Sequence, residues 1–273
     1  MLALIKNEWI KLWQKRTTQI FTILLFLVPI VIAIGGKTLA GQLVGCPLQA
    51  NDLLQSLGSI TVPYHLVLAL IVGAIVADEY SGGTIKNLLI QPFTRNQILL
   101  SKYIVSLLLN AVYAVGLWFD LWLSGNFISG FQSPLATVPG SAGTSVLLAS
   151  LGMLFSVFWA NILIVSGTFL LSTLFTWPGL AMAFSVLMLV VDNFCSAVAT
   201  IYMLGRGMTW LKWNPFNVFN MNKIFGMKIM HIPLHATDLH YWQMMLMCVC
   251  YSGICYLLST LIFKYRDIKL HDH

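Results

Sequence analysis

The chain has 273 residues, of which 58% are hydrophobic and only 9% are charged. A soluble domain carries about a quarter charged residues, so this composition indicates an integral membrane protein. The formal net charge of +6 fits a membrane protein with basic cytoplasmic edges. Dense basic runs interleaved with aromatic residues are missing from the sequence, so we expect no nucleic-acid partner.

Residues 1–17 are predicted to form an amphipathic helix that lies in the membrane interface. On a helical wheel the apolar face holds Leu2, Ile5, Trp9, Leu12 and Trp13, and the opposite face holds Asn7, Glu8, Lys11, Gln14 and Lys15. The alternative is a simple cytoplasmic extension of the first membrane span.

Six stretches are apolar enough to span a membrane, which needs about 20 mostly apolar residues. They cover residues 19–34, 61–77, 103–123, 146–175, 180–202 and 241–263. The fourth and fifth stretches are separated at "TWPGL", where Pro178 cannot continue a helix. We therefore predict an all-α integral membrane fold with six transmembrane helices, in one domain covering residues 1–273.

The distribution of Lys and Arg predicts that both termini lie in the cytoplasm, because cytoplasmic segments carry the excess of positive charge. In this orientation the inner segments hold ten basic residues and the outer loops hold five. Four of those five lie in residues 203–240, an aromatic-rich loop that we expect outside the membrane. We expect this loop to form short helices on the outer membrane surface and not a separate soluble domain.

Residues 78–98 form the most polar stretch in the first half of the chain and link spans two and three on the predicted cytoplasmic side. After Gly82–Gly83, the apolar residues Ile85, Leu88 and Leu89 recur at helical spacing, and Pro92 ends the pattern. Thr94 is a plausible N-cap for the third span. The short amphipathic helix is either a connector resting on lipid headgroups or a docking surface for a soluble partner.

The stretch "ADEYSGGTIKNLLIQPFTRNQILLSK" resembles the signature segment of ABC-2 type transporter permeases. The matching positions are Glu79, Gly83, Thr84, Lys86, Leu88, Leu89, Pro92, Thr94, Arg95 and Lys102. The opening "LIKNEWIKLWQKR" is similar to the start of small bacitracin-resistance and lantibiotic-immunity type permeases. These specific residues lie in roughly the first hundred positions, and the remainder of the chain matches through its span count and length.

The resemblance implies a division of labour between this chain and separate cytoplasmic ATP-binding cassette ATPase subunits. No GxxxxGK[ST] motif occurs, so ATP and Mg are expected on the partner and no cofactor on this chain. A second permease subunit, identical or related, is also implied, in a bacterial plasma membrane. The residues expected to couple to the ATPase are Glu79, Gly82, Gly83, Thr84, Ile85, Lys86, Leu88, Leu89, Pro92 and Arg95.

Four polar residues within the spans are candidates for a substrate path: Asp192, Asn193, Asn161 and Asp120. A carboxylate at a helix centre costs about 2.5–3.5 kcal/mol on insertion, so Asp192 should face the protein interior or water. It either lines the path or fixes helix packing with Asn193 or Asn161. Asp120, near the outer end of span three, is expected to reach the interface.

We expect neither a catalytic nor a metal site. The expected function is that of a permease subunit exporting an amphiphile such as a peptide antibiotic or toxin. One alternative is a stand-alone secondary transporter, which should show polar residues in related broken helices. The other is an intramembrane enzyme, which needs a nucleophile with a base or a paired acid.

Overall fold

The computed structural model describes residues 1–40, 42, 49–83, 93–138, 143–207, 209–219, 221 and 239–265. Their α-helices, in chain order, are α1 (Leu2–Gln14), α2 (Arg16–Gly35), α3 (Ala50–Gln55), α4 (Thr61–Ala74), α5 (Ala77–Ser81), α6 (Arg95–Ser129), α7 (Val146–Leu174), α8 (Pro178–Arg206), α9 (Phe216–Phe219) and α10 (Tyr241–Tyr265). A π-helical turn covers Gly36–Ala40, and 3-10 turns cover Ser56–Ile60 and Thr209–Trp213.

The described residues contain six helical stretches long and apolar enough to cross a membrane, and they contain no named strand. This confirms the predicted all-α, six-span fold. Span one is α2, span two is α4 with α5, and spans three to six are α6, α7, α8 and α10. The helix ends agree with the predicted bounds or differ by a few residues, except that α6 extends well beyond residues 103–123 at both ends.

Local sequence signals set two of the helix starts. The Thr94 hydroxyl accepts from the Gln97 amide at 3.3 Å, and the Gln97 side chain accepts from the Thr94 amide at 3.0 Å. This capping box starts α6 and confirms Thr94 as its N-cap. Pro178 occupies the first turn of α8, where its missing N–H costs no helical hydrogen bond.

The centre of the bundle is formed by spans two, three and four. At least half of the most apolar stretch of each of these spans is buried, against less than a third in spans one, five and six. Span two packs against spans one, four and five, and span four packs against span six. The outer-lying helices therefore present most of their apolar surface away from the chain, as lipid-facing helices do.

Neutral hydrogen bonds join the three central spans in the bundle interior. Tyr64 of span two donates to Asn110 of span three, with its hydroxyl 2.6 Å from Asn110 Oδ1 and 2.7 Å from the Asn110 carbonyl oxygen. Asn110 Nδ2 donates to the Phe158 carbonyl of span four at 3.2 Å. Each polar group thereby meets a partner that lipid could not provide. We call Tyr64, Asn110 and Phe158 the interior cluster.

Span two is interrupted near its end, where the prediction of an unbroken helix over residues 61–77 is wrong. Helix α4 ends at Ala74 and α5 begins at Ala77. The Ser172 hydroxyl oxygen of span four accepts from the Val76 amide at 2.9 Å and from the Ala77 amide at 3.2 Å. A side chain from a neighbouring span thus takes up backbone donors at the break, which is how interruptions are tolerated inside a helical bundle.

In the aromatic-rich loop, the described part contains the two short helical segments Thr209–Trp213 and Phe216–Phe219. Tyr251 of span six donates to the Trp213 carbonyl at 2.7 Å and fixes the first segment to the bundle. Residues 222–238 lie outside the described residues, and the predicted extracellular position of the loop stays a prediction.

Candidate functional site

A buried group of charges lies where α1, α5 and the first turns of α6 meet. Lys102 Nζ donates to Glu8 Oε2 at 2.6 Å and to Glu79 Oε1 at 2.7 Å. The side chains of Lys102 and Glu8 are each 4% exposed, and that of Glu79 is 10% exposed. One ammonium group is therefore clasped by carboxylates from two separate segments of the chain.

A second cation completes the charge balance at the rim of this group. Lys11 Nζ lies 3.5 Å from both Glu8 Oε1 and Glu79 Oε1, and its side chain is 41% exposed. Two ammonium groups thus face two carboxylates. Burial of charge is tolerable in this arrangement because each ion has a close partner. We call Glu8, Lys11, Glu79 and Lys102 the ionic junction.

A more exposed ion pair lies beside the ionic junction and joins the residue that follows α1 to α5. Lys15 Nζ lies 2.6 Å from Asp78 Oδ2, with the side chains 38% and 30% exposed. A cavity of about 40 Å³ touches both groups. It has room for water molecules beside the charged groups.

Helical spacing explains why these charges are buried. In α6, Lys102 lies between Ile98 and Val105 on a buried face that also carries small polar residues. In α1, Glu8 lies one turn from both Leu4 and Leu12, which are also buried. Each charged side chain is therefore carried into the protein by the apolar residues above and below it.

The burial of Glu8 corrects the prediction that placed it on the polar face of α1. The face that enters the protein is Leu4–Glu8–Leu12, whereas Leu2, from the predicted apolar face, is 85% exposed. A helical wheel assigns Glu8 to water because it contains no information about Lys102. Trp9 and Trp13 are partly buried against the core. The position of α1 in the membrane interface stays a prediction.

Helix α5 is attached to four other parts of the bundle although it has only five residues. Ser172 of span four caps its first residues, Lys102 of span three binds Glu79, and α1 binds it through Lys11 and Lys15. The Tyr80 ring meets the Phe263 ring of span six edge to face, with centroids 6.3 Å apart. Displacement of α5 would therefore disturb contacts with three spans and α1.

The end of α5 matches the predicted glycine turn. The Gly82 amide donates to the Asp78 carbonyl at 2.9 Å, and the Gly83 amide donates to the Tyr80 carbonyl at 3.3 Å. Gly83 has a φ of +64°, a left-handed conformation that glycine adopts without a steric penalty. The chain then enters the predicted coupling helix, but Thr84, Ile85, Lys86, Leu88, Leu89 and Pro92 lie outside the described residues.

Two predicted coupling residues flank that helix and both have partners within the chain. Arg95 Nη1 donates to the Lys264 carbonyl at 3.3 Å, which joins the start of span three to the end of span six. The sequence leaves two alternatives for Glu79, a pair with a basic group on a partner subunit or a cap of the Gly–Thr turn. In the structure its carboxylate binds Lys102 and Lys11 of its own chain, and its role in coupling stays a prediction.

The four candidate path residues are spread over spans three, four and five. Asp192 is 7% exposed, which agrees with the expected cost of a lipid-facing carboxylate. Its neighbour Asn193 is exposed, and its Nδ2 donates to the Leu189 carbonyl of the same helix at 2.9 Å. Asn161 is fully buried and lies beside the Tyr64 hydroxyl. Asp120 is half-buried. The assignment of these residues to a substrate path stays a prediction.

The sequence analysis assigned no role to Glu8, Lys11 or Ser172, and it treated Lys102 only as part of a motif. One signal could have identified Lys102: a lysine one turn from both Ile98 and Val105 within an apolar helix needs a buried anion. Nothing in the sequence identifies Ser172, because a serine within an apolar helix usually bonds to its own backbone.

These features define a polytopic α-helical membrane protein with an ionic contact at one end of its bundle. Comparison with known proteins gives the class more closely. A family model described as "ABC-2 family transporter protein" matches residues 4–186, more than half of the chain, and the chain belongs to this family. The predicted resemblance is confirmed, and the matched residues include the whole ionic junction.

A curated relative supports the same placement without adding a function. The chain is 29% identical over 168 residues to "Uncharacterized protein YhcI" of Bacillus subtilis (strain 168), a match that covers 56% of this chain. The match covers 50% of that protein, so the chain spans about half the length of the curated relative. Membership of this transporter family agrees with the six apolar helices of the described residues.

Proposed function

We propose that this chain is the permease subunit of an ATP-binding cassette exporter in a bacterial plasma membrane, with both termini in the cytoplasm. Its substrate is an amphiphile such as a peptide antibiotic or toxin. Separate ATPase subunits bind ATP and Mg and supply the energy, and they dock on residues 79–95. Family membership supports the transport role, and the anchoring of both ends of residues 79–95 supports the docking role.

The observation that carries the docking role is the attachment of α5 and Arg95 to the rest of the bundle. Segment 84–92 is bounded by α5, which is bound to α1 and spans three, four and six, and by Arg95, which is bound to span six. A segment whose two ends are attached to the bundle transmits a displacement caused by a bound partner to the spans. A connector that merely closes a loop needs no such contacts.

The substrate path is proposed to lie between two permease subunits, beside span five. Less than a fifth of the most apolar stretch of α8 is buried, yet this helix carries an exposed amide at Asn193 next to the buried Asp192. An amide facing hydrocarbon is unfavourable, whereas it is satisfied against a second subunit or a polar substrate. Asn161, enclosed beside Tyr64, fits a packing role better.

Cysteine labelling in intact cells tests the orientation on which the proposal depends. Ser81→Cys and Ser133→Cys are both exposed positions and would be introduced into a chain without native cysteines. A membrane-impermeant maleimide should label position 133 and should leave position 81 unlabelled until the cells are opened. The reverse pattern would place residues 79–95 outside the cell and refute docking to a cytoplasmic ATPase.

Co-purification tests the docking role itself. Leu88→Asp places an unpaired charge on the apolar face of the predicted helix, so the permease should insert normally but fail to retain its ATPase. The matched control is Leu135→Asp, at a 71% exposed position in the connection between spans three and four. Equal ATPase recovery and equal ATP turnover in the two variants would show that residues 84–92 are a connector only.

Survival of cells on bacitracin and on lantibiotics tests the path and the substrate class. Asp192→Asn should preserve folding and change the resistance conferred by the complex. Asp192→Leu should abolish that resistance if the carboxylate position contacts the substrate. If the Asp192→Leu variant is as stable as the wild type and confers the same survival, this residue does not belong to the path. If cells that lack the permease survive these antibiotics as well as cells that contain it, the antibiotics are not its substrates.

A further inference from the structure

The ionic junction links two segments that are far apart in sequence. Glu8 belongs to α1 and Glu79 belongs to α5, and the Lys102 ammonium lies within 2.7 Å of a carboxylate oxygen of each. Lys11 of α1 also reaches both carboxylates, but at 3.5 Å and with a side chain that is 41% exposed. Lys102 is therefore a buried cation from a third helix that offsets the repulsion between the two carboxylates.

Helix α5 is separated from the remainder of span two by the break after Ala74. Backbone hydrogen bonds of a continuous helix would force α5 to follow α4. At the break, Val76 and Ala77 donate to the Ser172 hydroxyl instead, so α5 can change its angle to α4 with little loss of helical hydrogen bonding. Beyond the break, α5 is held by the buried pair of Glu79 with Lys102 of α6 and by the exposed pair of Asp78 with Lys15.

Helix α1 continues almost directly into span one. It ends at Gln14, α2 begins at Arg16, and the single residue between them, Lys15, has an extended backbone. Lys15 also binds Asp78 of α5 at 2.6 Å. A displacement of α1 therefore reaches α2 through one residue, and that residue is itself held by α5.

We propose that Lys102 is a positioning residue of ATP-driven transport, which clamps α1 to α5 so that both helices, and with them span one, follow the coupling segment. The inference rests on the proposed function, because it needs an ATPase that acts on residues 84–92. Apolar side chains could hold the two helices together at no greater energetic cost. Short ion pairs also fix their relative orientation, since both carboxylates must reach one nitrogen atom.

Distance measurements on the full complex test the clamp directly. Spin labels at Lys6→Cys and Ser81→Cys, both exposed, report the distance between α1 and α5, and a label at Ser133→Cys gives a reference in the connection after span three. The permease would be studied with its ATPase in nanodiscs, without nucleotide and after trapping with ATP and vanadate. The 6–81 distance should stay constant while the distances from 6 and 81 to 133 change together.

The variant that removes the clamp is the neutral triple Glu8→Gln, Lys102→Met, Glu79→Gln, in which Lys11, with a 41% exposed side chain, keeps the one remaining charge of the ionic junction. It should insert and retain the ATPase, but the 6–81 distance should change on trapping and resistance per ATP hydrolysed should fall at least tenfold. A neutral triple with a constant 6–81 distance and wild-type resistance would show that the junction is structural only and would overturn the inference.

A charge exchange provides the matched control and covers the case in which the neutral triple does not fold. Glu79→Lys alone places three cations against Glu8 and should disrupt the clamp. Adding Lys102→Glu restores the balance of two cations against two carboxylates and should recover at least half of the wild-type coupling ratio. Failure of the exchange to improve on the single variant would overturn the inference. If wild-type distances do not respond to ATP at all, the proposed function itself is refuted.

Discussion

The ionic junction and the interior cluster both connect span two to span three, but they use different chemistry. At the junction, Lys102 joins Glu8 and Glu79 by charged contacts of 2.6 and 2.7 Å. In the interior cluster, Tyr64 joins Asn110 through a neutral hydroxyl and amide at 2.6 Å. The distances are nearly the same, so the difference between the two regions lies in what remains when one partner is removed.

Removal of one neutral partner leaves a dipole without its hydrogen bond, whereas removal of one ionic partner leaves a net charge in a buried site. The interior cluster should therefore tolerate substitution with a graded loss of stability. The junction should behave as a unit, in which each ion depends on the others. The following substitutions test this contrast, and each effect is read as a change in the free energy of unfolding in mixed detergent micelles.

Lys102→Met should have the largest effect, because it leaves Glu8 and Glu79 buried without their shared cation. Loss of one partner of a buried ion pair costs about 3–5 kcal/mol. Lys264→Met, at an exposed lysine near the end of span six, is the matched control and should cost far less. Similar losses for the two variants would contradict a special role for the buried ammonium.

Ser172→Ala should come next, with a loss of about 1–3 kcal/mol, since two backbone amides at the break in span two lose their acceptor. The control is Ser259→Ala, because Ser259 is also fully buried but donates to the Cys255 carbonyl of its own helix. If the two alanine variants are equally stable, Ser172 does not hold the break.

Tyr64→Phe should cost about 1 kcal/mol, the typical size of an interhelical hydrogen bond within a membrane. The ring is retained, so packing is preserved and only the donor to Asn110 is lost. Tyr265→Phe removes a hydroxyl from a 74% exposed tyrosine and serves as control. A loss as large as that of Lys102→Met would erase the distinction between the neutral and the ionic region.

Lys15→Ala should have the smallest effect, below about 1 kcal/mol, because its pair with Asp78 is exposed to solvent and screened. Lys11→Ala should cost more, since Lys11 lies 3.5 Å from both buried carboxylates of the junction. The comparison is best repeated at low and high salt, because screening should reduce the effect at Lys15 first. The opposite ranking would mean that the exposed pair beside the ionic junction carries more energy than the rim of the junction.

The contrast also explains which parts of the structure the sequence predicts. Hydropathy predicts the six spans, and local chemistry predicts the cap at Thr94 and the helix break at Pro178, because these depend on neighbouring residues only. The burial of Glu8 depends on Lys102, which is distant in sequence. The break after Ala74 involves Ser172, which is distant in sequence, and the adjacent Gly73 does not predict it because glycine is common within membrane helices.

The same limit applies to the candidate site. The motif around Glu79 predicts that the segment is important and gives the correct family, because the pattern is contiguous. It does not predict that Glu79 binds Lys102, since a pattern along the chain contains no information on which of its charges meet in space. Contacts between segments that are distant in sequence are therefore what the structure adds.

Helix α6 is so long that a small tilt at one of its ends would produce a large displacement at the other end. Lys102 fixes it to the ionic junction, and near its far end Gly125 lets α3 approach so closely that a side chain there would lie 3.1 Å from the Ala50 carbonyl oxygen. Lys102 and Ser129 are separated by about 40 Å of helix, and a tilt of about 5° about the lysine moves the far end by about 3.5 Å. This displacement follows from the length of α6 alone and requires no change in the conformation of the helix.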